Sequence, residues 1–110
     1  MTDKIVVLSA CESREEALRV AEALLEKRLA ACVNLLPGAE SMYHWKGKIE
    51  RSEETVLLIK STRKCFEQLK AVLSQAHSYE IPEVLALPVV AGSEGYLDWM
   101  DREMKVAAED

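Results

Sequence analysis

The pattern of apolar and polar residues along the chain predicts two βαβ units followed by a terminal helix. Runs of β-branched and other apolar residues, typical of buried strands, alternate with segments in which apolar residues recur every three to four positions, as on one face of a helix. Strand segments are predicted at 4–11, 30–50, 55–60 and 84–91, where 30–50 closes in a hairpin. The order predicts an α+β fold, the ferredoxin-like βαββαβ sandwich with a C-terminal helix, in which helices cover one face of a four-stranded antiparallel sheet.

The segment 30–50 is longer than one small sheet can pair. It bends at Pro37-Gly38 and continues as an alternating strand that places Tyr43 and Trp45 on one face. Lys46-Gly47-Lys48 follows as a tight hairpin, with glycine supplying a positive φ. We expect the far half to overhang the sheet and to pair with another subunit, because an exposed strand edge carrying aromatic residues invites pairing.

Helix-start signals precede the predicted helices. Ser13 and Glu16 form a capping box, in which the hydroxyl and the carboxylate satisfy each other's backbone N–H groups. Ser61 or Thr62 is expected to cap the second helix, and Ser93 the final one.

Three further boundaries follow from residue type. Residues 51–54 are expected to form a polar connection after the hairpin, and the tail 107–110 is expected to fray. Pro88 cannot donate a hydrogen bond to a sheet, so its part of the fourth strand is placed at an edge or a bulge.

Composition and charge narrow the function classes. The 110 residues are expected to form one domain, 1–110, and the net charge of −5 argues against binding to nucleic-acid phosphates. No apolar run approaches the roughly 20 residues that span a bilayer, and no signal-peptide pattern opens the chain, so a cytoplasmic protein without membrane contact is expected. The three cysteines form no CxxC motif and are expected to be reduced, buried thiols.

The segment 77–83 is the best candidate for chemistry, since no phosphate-binding glycine loop, HExxH or GxSxG motif occurs. The imidazole of His77 and the carboxylate of Glu83 together suit a borderline metal ion such as Cu(II) or Zn(II), and Pro82 stiffens the loop between them. The alternative is a histidine at the negative end of a helix dipole, followed by a solvated loop.

Aromatic residues offer a second candidate site. Tyr43, Trp45, Tyr79 and Trp99 are expected either to line a pocket or to pack in the core or against another subunit. Lys60 ends a buried strand, where it is expected either to be solvated or to meet an anion or the carboxylates of Glu80 and Glu83.

Several stretches together resemble the CutA divalent-cation tolerance family. They are Ala30–Ala39, Ser41–Glu50, Leu58–Thr62, His77–Val84, Leu87–Val89 and Gly95–Trp99. The resemblance covers nearly the whole chain in order. It implies a ferredoxin-like subunit in a tight homotrimer, in which the long hairpin strand pairs across subunits much as in the PII signal-transduction proteins. It also implies a link to tolerance of copper and other divalent metals.

The resemblance further implies a set of metal ligands. The proposed ligands of the family are a first-strand cysteine, the histidine before a Tyr-Glu-x-Pro-Glu motif and the glutamate that closes it. His77 and Glu83 match the last two, whereas Ser9 stands where the cysteine is expected. Cys11 faces the same side of a regular strand as Ser9 and is the candidate third ligand. Ser78 replaces the proline that usually follows the histidine.

Three hypotheses of function result. The first is a non-enzymatic homotrimer that binds a divalent cation, with Cu(II) favoured, through His77, Glu83 and Cys11. The second is a PII-like signalling or scaffold trimer that binds a small anionic metabolite or a partner protein at an inter-subunit cleft near Tyr43, Trp45, Lys60 and Tyr79. The third is an enzyme that uses Glu83 and His77 as acid and base.

Overall fold

The computed structural model describes residues 1–105, and the predicted tail 107–110 lies outside them. The elements are β1 (Lys4–Cys11), α1 (Arg14–Glu26), β2 (Cys32–Trp45), β3 (Lys48–Thr62), a 3-10 turn (Arg63–Cys65), α2 (Phe66–Ala76), β4 (Leu85–Pro88) and α3 (Glu94–Met104). This order confirms the predicted βαββαβ arrangement with a C-terminal helix. Within the described part of the chain, no helix has the length and apolar character needed to cross a membrane.

The strands form one antiparallel sheet in the order β2-β3-β1-β4. Helices α1 and α2 pack on one face of this sheet and contribute Val20, Leu24, Leu69 and Leu73 to the core. The strand residues that meet them alternate along β1 and β3, as the pleat of a strand requires. They are Ile5, Val7, Cys11, Leu57 and Ile59.

Helix α1 begins with half of the predicted capping box. The Ser13 hydroxyl accepts a hydrogen bond from the Glu16 N–H at 3.1 Å. The carboxylate of Glu16 does not return the bond, because it is buried and accepts the N–H of Ser78 instead. The capping prediction was therefore right for the serine and wrong for the glutamate.

Helix α1 ends in a Schellman motif. Arg28 takes a positive φ of 55° and its N–H bonds the carbonyl of Leu25 at 3.0 Å, while the N–H of Leu29 bonds the carbonyl of Leu24 at 2.9 Å. These two bonds satisfy the last carbonyls of the helix and turn Leu29 into the core.

The predicted tight hairpin is present, and its turn consists of two residues. Trp45 pairs with Lys48, and the intervening Lys46 and Gly47 have φ values of 52° and 79°, as a type I′ turn requires. Residues 51–54 were predicted as a polar connection, and that prediction was wrong, because they continue β3 through pairing with β2.

The hairpin extends beyond the rest of the sheet. β1 pairs with β3 only at Thr55–Thr62, so residues 48–54 pair on one side alone within the described residues. The molecule is accordingly elongated, with principal extents of 49 × 27 × 22 Å.

The predicted cap of α2 is absent. Ser61 and Thr62 remain in β3, where they pair with Ile5 and Lys4, and neither hydroxyl caps the helix. The Ser61 hydroxyl instead donates to the carbonyl of Leu29 at 2.6 Å.

Helix α3 lies over one end of the opposite face of the sheet. Its predicted cap is present, because the Ser93 hydroxyl accepts the N–H of Tyr96. Lys4 anchors the helix through an ion pair of 2.8 Å with Asp101. Burial alone would lower the pKa of Lys4, but hydrogen bonds to Asp101 and Asp3 raise it.

The same face carries a group of apolar side chains beside the hydrogen-bonded pair of Lys60 and Asn34. We call this apolar group the open face; it consists of Val6, Leu8, Leu36, Val56, Leu58, Leu85 and Leu87. Leu36, Leu85 and Leu87 are 45, 56 and 48% exposed. β4 forms the edge of the sheet with Pro88 at its end, as predicted.

Two fully buried serines on one face of the sheet provide a stability test. The Ser9 hydroxyl has no hydrogen-bond partner among the described residues, whereas that of Ser61 bonds Leu29. We expect Ser9→Ala to leave the free energy of unfolding unchanged or to raise it by up to about 1 kcal/mol, and Ser61→Ala to lower it by about 1–2 kcal/mol. Urea unfolding at equal protein concentrations measures both, and equal losses would contradict the assignment.

Candidate functional site

A buried cluster of three metal-capable side chains lies where β1, α1 and α2 meet. Cys11 is the last residue of β1, Glu16 stands in the first turn of α1 and His77 directly follows α2. One ligand atom from each lies within 4.8 Å of the others. The residues are 0, 2 and 8% exposed, so the cluster is closed to solvent.

The hydrogen bonds of His77 determine which of its ring nitrogens carries the proton. The backbone N–H of Tyr79 lies 3.1 Å from Nδ1 of His77 and can only donate, so Nδ1 carries the lone pair. Nε2 therefore carries the proton and donates it to the carbonyl of Ala10 at 2.7 Å. Nδ1 lies on the side of Glu16, 3.6 Å from Oε1 of that residue.

Glu16 has one satisfied and one unsatisfied carboxylate oxygen. Oε2 accepts the N–H of Ser78 at 3.1 Å, whereas the buried Oε1 has no hydrogen-bond partner among the described residues. An unpartnered buried acceptor of this kind is costly unless a donor or a cation satisfies it.

The thiol of Cys11 is protonated at neutral pH. Burial and the neighbouring negative charge of Glu16 raise the pKa of Cys11 to about 12. All three cysteines of the chain are unpaired, and Cys32 and Cys65 are half-buried.

The cluster fits a divalent transition metal. Sulfur, imidazole nitrogen and carboxylate oxygen are the donor types that Zn(II) and Cu(II) bind. A ligating histidine usually donates its other ring N–H to a carbonyl or carboxylate, and Nε2 of His77 already does so with Ala10. Cys11, Glu16 and His77 would hold the ion, and the ion would supply the positive charge that the buried carboxylate lacks.

A cavity of about 710 Å³ lies between the hairpin and the loop that follows His77. Tyr43, Trp45 and Tyr79 line it. Its lining also contains the glutamates Glu40, Glu54, Glu80 and Glu83. Neither lysine nor arginine occurs among the described residues that line it, so the cavity favours positively charged ligands.

Tyr79 connects the cavity with the buried cluster. Its hydroxyl donates to Oε2 of Glu54 at 2.7 Å, and its backbone N–H donates to His77. Burial and the hydrogen bond to the Glu54 carboxylate raise the pKa of Tyr79.

The predicted site residues are divided between the buried cluster and the cavity, with Lys60 outside both. Cys11 and His77 meet in the buried cluster, whereas Glu83 is exposed on the cavity wall and is not a member of the cluster. Tyr43, Trp45 and Tyr79 share the cavity as one of the alternatives expected. Lys60 lies outside it, because its Nζ bonds Oδ1 of Asn34 and lies 3.9 Å from Sγ of Cys32.

Glu16, the third member of the buried cluster, was not among the candidate residues named from the sequence. Sequence reasoning assigned its carboxylate to the capping box, which is a sufficient role for a glutamate in a first helical turn. A signal was present nevertheless, because Val20 follows four positions later and Leu24 four after that, on the face of α1 that is buried.

The family of the chain can be identified by comparison with known proteins. A protein-family model described as CutA1 divalent ion tolerance protein matches residues 5–103. The chain belongs to this family. The divalent-cation tolerance protein CutA of Thermus thermophilus is 45% identical over 95 residues, which cover 86% of this chain and 92% of that relative.

Solved CutA structures share the fold. CutA from the plant-pathogenic bacterium Xylella fastidiosa matches with a TM-score of 0.92 at 38% identity, covering 94% of this chain and 100% of that one. The periplasmic divalent cation tolerance protein CutA from Archaeoglobus fulgidus matches with a TM-score of 0.90 at 36% identity, covering 93 and 99%. CutA1 membership connects the chain with tolerance of divalent cations. The buried cluster contains side chains that could hold one, and the cavity is lined by carboxylates.

The hydroxyl of Tyr79 provides a pH test. Because its pKa is raised in the folded state, its contribution to stability is complete below pH 10, the usual value for tyrosine, and is lost as pH rises further. Tyr79→Phe should therefore lower the free energy of unfolding by about 1–3 kcal/mol at neutral pH, with a smaller difference from wild type at alkaline pH.

Tyr43→Phe is the matched control, since Tyr43 lines the same cavity but is 42% exposed. Its effect on urea unfolding should stay within about 0.5 kcal/mol. Equal effects of the two substitutions, or a Tyr79→Phe effect that grows with pH, would refute the role of the Tyr79–Glu54 bond.

Proposed function

We propose that this CutA1-family chain is a cytoplasmic homotrimer that binds a divalent cation, with Cu(II) favoured, and that it acts by binding rather than by catalysis. The observation that supports this best is the meeting of Cys11 and His77 in a buried cluster, where Nδ1 of His77 lies 3.6 Å from a carboxylate oxygen of Glu16. Family membership gives independent support for a divalent cation.

The ligand set contains His77, Cys11 and a carboxylate. The sequence points to Glu83 as that carboxylate, and its position in the loop after His77, on the wall of an acidic cavity, is compatible with cation binding there. Metal binding at Cys11 must displace the thiol proton, because thiolate is the ligating form.

Trimer formation is supported by the open face and by the hairpin. The exposed leucines of the open face lie together on one side of the sheet, and contiguous apolar patches of this kind mark protein interfaces. The overhanging hairpin and the free edge of β4 each present unpaired strand edges that a second copy of the chain can complete.

A cytoplasmic location is supported by the three unpaired cysteines, which a reducing compartment preserves. The similar Archaeoglobus fulgidus protein is called periplasmic. Fractionation of cells that produce this chain distinguishes the two locations.

The second candidate is a PII-like signalling or scaffold trimer. The cavity lined by Tyr43, Trp45 and Tyr79 supports it, because aromatic walls suit a protein or small-molecule partner. The glutamates of the cavity disfavour an anionic metabolite, and Lys60 lies outside the cavity, so the partner-protein form is the better supported. An acid–base pair of Glu83 and His77 gains no support, since His77 does not line the cavity that contains Glu83.

Calorimetric titration with Cu(II) at pH 7 tests the metal proposal. We expect saturable binding near one ion per chain, lost in His77→Ala and weaker at lower pH because protons compete for the ligands. His44→Ala is the matched control, because His44 is the other histidine of the chain and is exposed on the hairpin. Binding that is lost equally in both variants, or unchanged in both, would remove His77 as a ligand.

The substitution Leu87→Lys tests the interface. A charge in the open face should prevent assembly and give a monomer in sedimentation analysis, because an unpaired buried charge costs several kcal/mol. Leu25→Lys is the control, since Leu25 is 41% exposed on α1, which packs on the other face of the sheet. A trimer that tolerates Leu87→Lys, or a wild-type protein that is monomeric, would overturn the proposed assembly.

A further inference from the structure

The carboxylate nearest to the two other ligands is that of Glu16. Its Oε1 lies 3.6 Å from Nδ1 of His77, and one of its carboxylate oxygens lies within 4.8 Å of the ligand atoms of Cys11 and His77. Glu83 is not a member of this group and is exposed. Proximity therefore favours Glu16 over Glu83 as the third ligand.

The two oxygens of Glu16 have separate roles. Oε2 is held by the N–H of Ser78, which fixes the orientation of the carboxylate. Oε1 is buried and unpartnered among the described residues, and such a group in a native protein calls for an explanation. A cation bound to Oε1 supplies one.

His77 is orientated for the same cation. Its Nε2–H is already bound to the Ala10 carbonyl, which leaves Nδ1, on the Glu16 side, as the ligating atom. The N–H of Tyr79 occupies the Nδ1 lone pair at 3.1 Å and must be released when an ion takes its place.

Charge balance also fits this set. A divalent ion that binds the Cys11 thiolate, neutral His77 and the Glu16 carboxylate gives a net charge of zero, and one proton leaves from the Cys11 thiol. A neutral buried site avoids the large cost of an uncompensated charge in a low-dielectric environment.

We propose that Glu16 is the carboxylate ligand of a buried divalent-metal site completed by Cys11 and His77. The inference rests on the proposed function and changes its third ligand from Glu83 to Glu16. It makes the first turn of α1, rather than the loop wall of the cavity, the element that closes the site.

Titration of the full chain with Co(II) under oxygen-free conditions tests this assignment. Co(II) is the probe because it gives a thiolate-to-metal absorption band that reports bond formation at cysteine. Glu16→Gln should lower Co(II) affinity by at least about tenfold. Glu15→Gln, the same change at an exposed position of the same helical turn, should leave affinity unchanged.

Glu83→Gln tests the rival carboxylate directly. Co(II) affinity that is retained in Glu83→Gln supports Glu16 as the ligand, and affinity that is lost in Glu83→Gln overturns it. This comparison holds even if Glu16→Gln fails to fold. Release of one proton per Co(II), measured in buffers of different ionisation enthalpy, and loss of the absorption band in Cys11→Ser support the thiolate. No proton release, or a band unchanged in Cys11→Ser, overturns Cys11 as a member of the site.

The outcomes separate this inference from the proposed function. No saturable binding of Co(II) by the wild-type chain would overturn the proposed function and the inference together. Saturable binding that is unaffected in Glu16→Gln and lost in Glu83→Gln would overturn the inference alone.

Discussion

The antiparallel pairing of β1 with β3 is the interaction on which the rest of the structure depends. It aligns Val7 with Ile59 and Ser9 with Leu57, and all four residues are fully buried beneath α1 and α2. The alternation of side chains across the same two strands produces the open face on the other side. Because the pairing stops at Cys11, β3 continues without a second neighbour, and the hairpin projects beyond the body of the molecule. One register thus determines the core, the exposed apolar surface and the overhang.

The end of β1 also contains an energetically unfavourable group of buried polar side chains. A carboxylate, a thiol and an imidazole are buried together at Glu16, Cys11 and His77, and one carboxylate oxygen has no donor within the described residues. Buried charged clusters often add little net stability, because the cost of removing the charges from water offsets the interactions that they make. A buried arrangement that lowers the stability of the fold in this way is typical of binding sites, where the bound ligand restores the lost free energy.

The sequence was sufficient for the order of elements, the hairpin turn and the edge position of Pro88, because these follow from local periodicity and from the backbone limits of glycine and proline. Cys11 and His77 were named from the sequence as candidate ligands. The packing of α2 beside β1 and α1 brings these two residues, 66 positions apart in the chain, into one cluster. The sequence could not assign Glu16, because capping and burial compete for the same carboxylate and only tertiary packing decides between them. Tertiary packing also decides the role of Ser61, whose hydroxyl bonds the carbonyl of Leu29 rather than a helix end. It likewise decides that Lys60 lies outside the cavity.

Tyr79 connects the buried cluster with the cavity through two hydrogen bonds. Its N–H donates to His77 in the buried cluster, and its hydroxyl donates to Glu54 in the cavity, so a movement of Tyr79 affects both places. A molecule in the cavity that repositions Tyr79 changes the availability of the His77 lone pair. By linkage, an ion that displaced the Tyr79 N–H from His77 would change the affinity of the cavity for that molecule by the same factor.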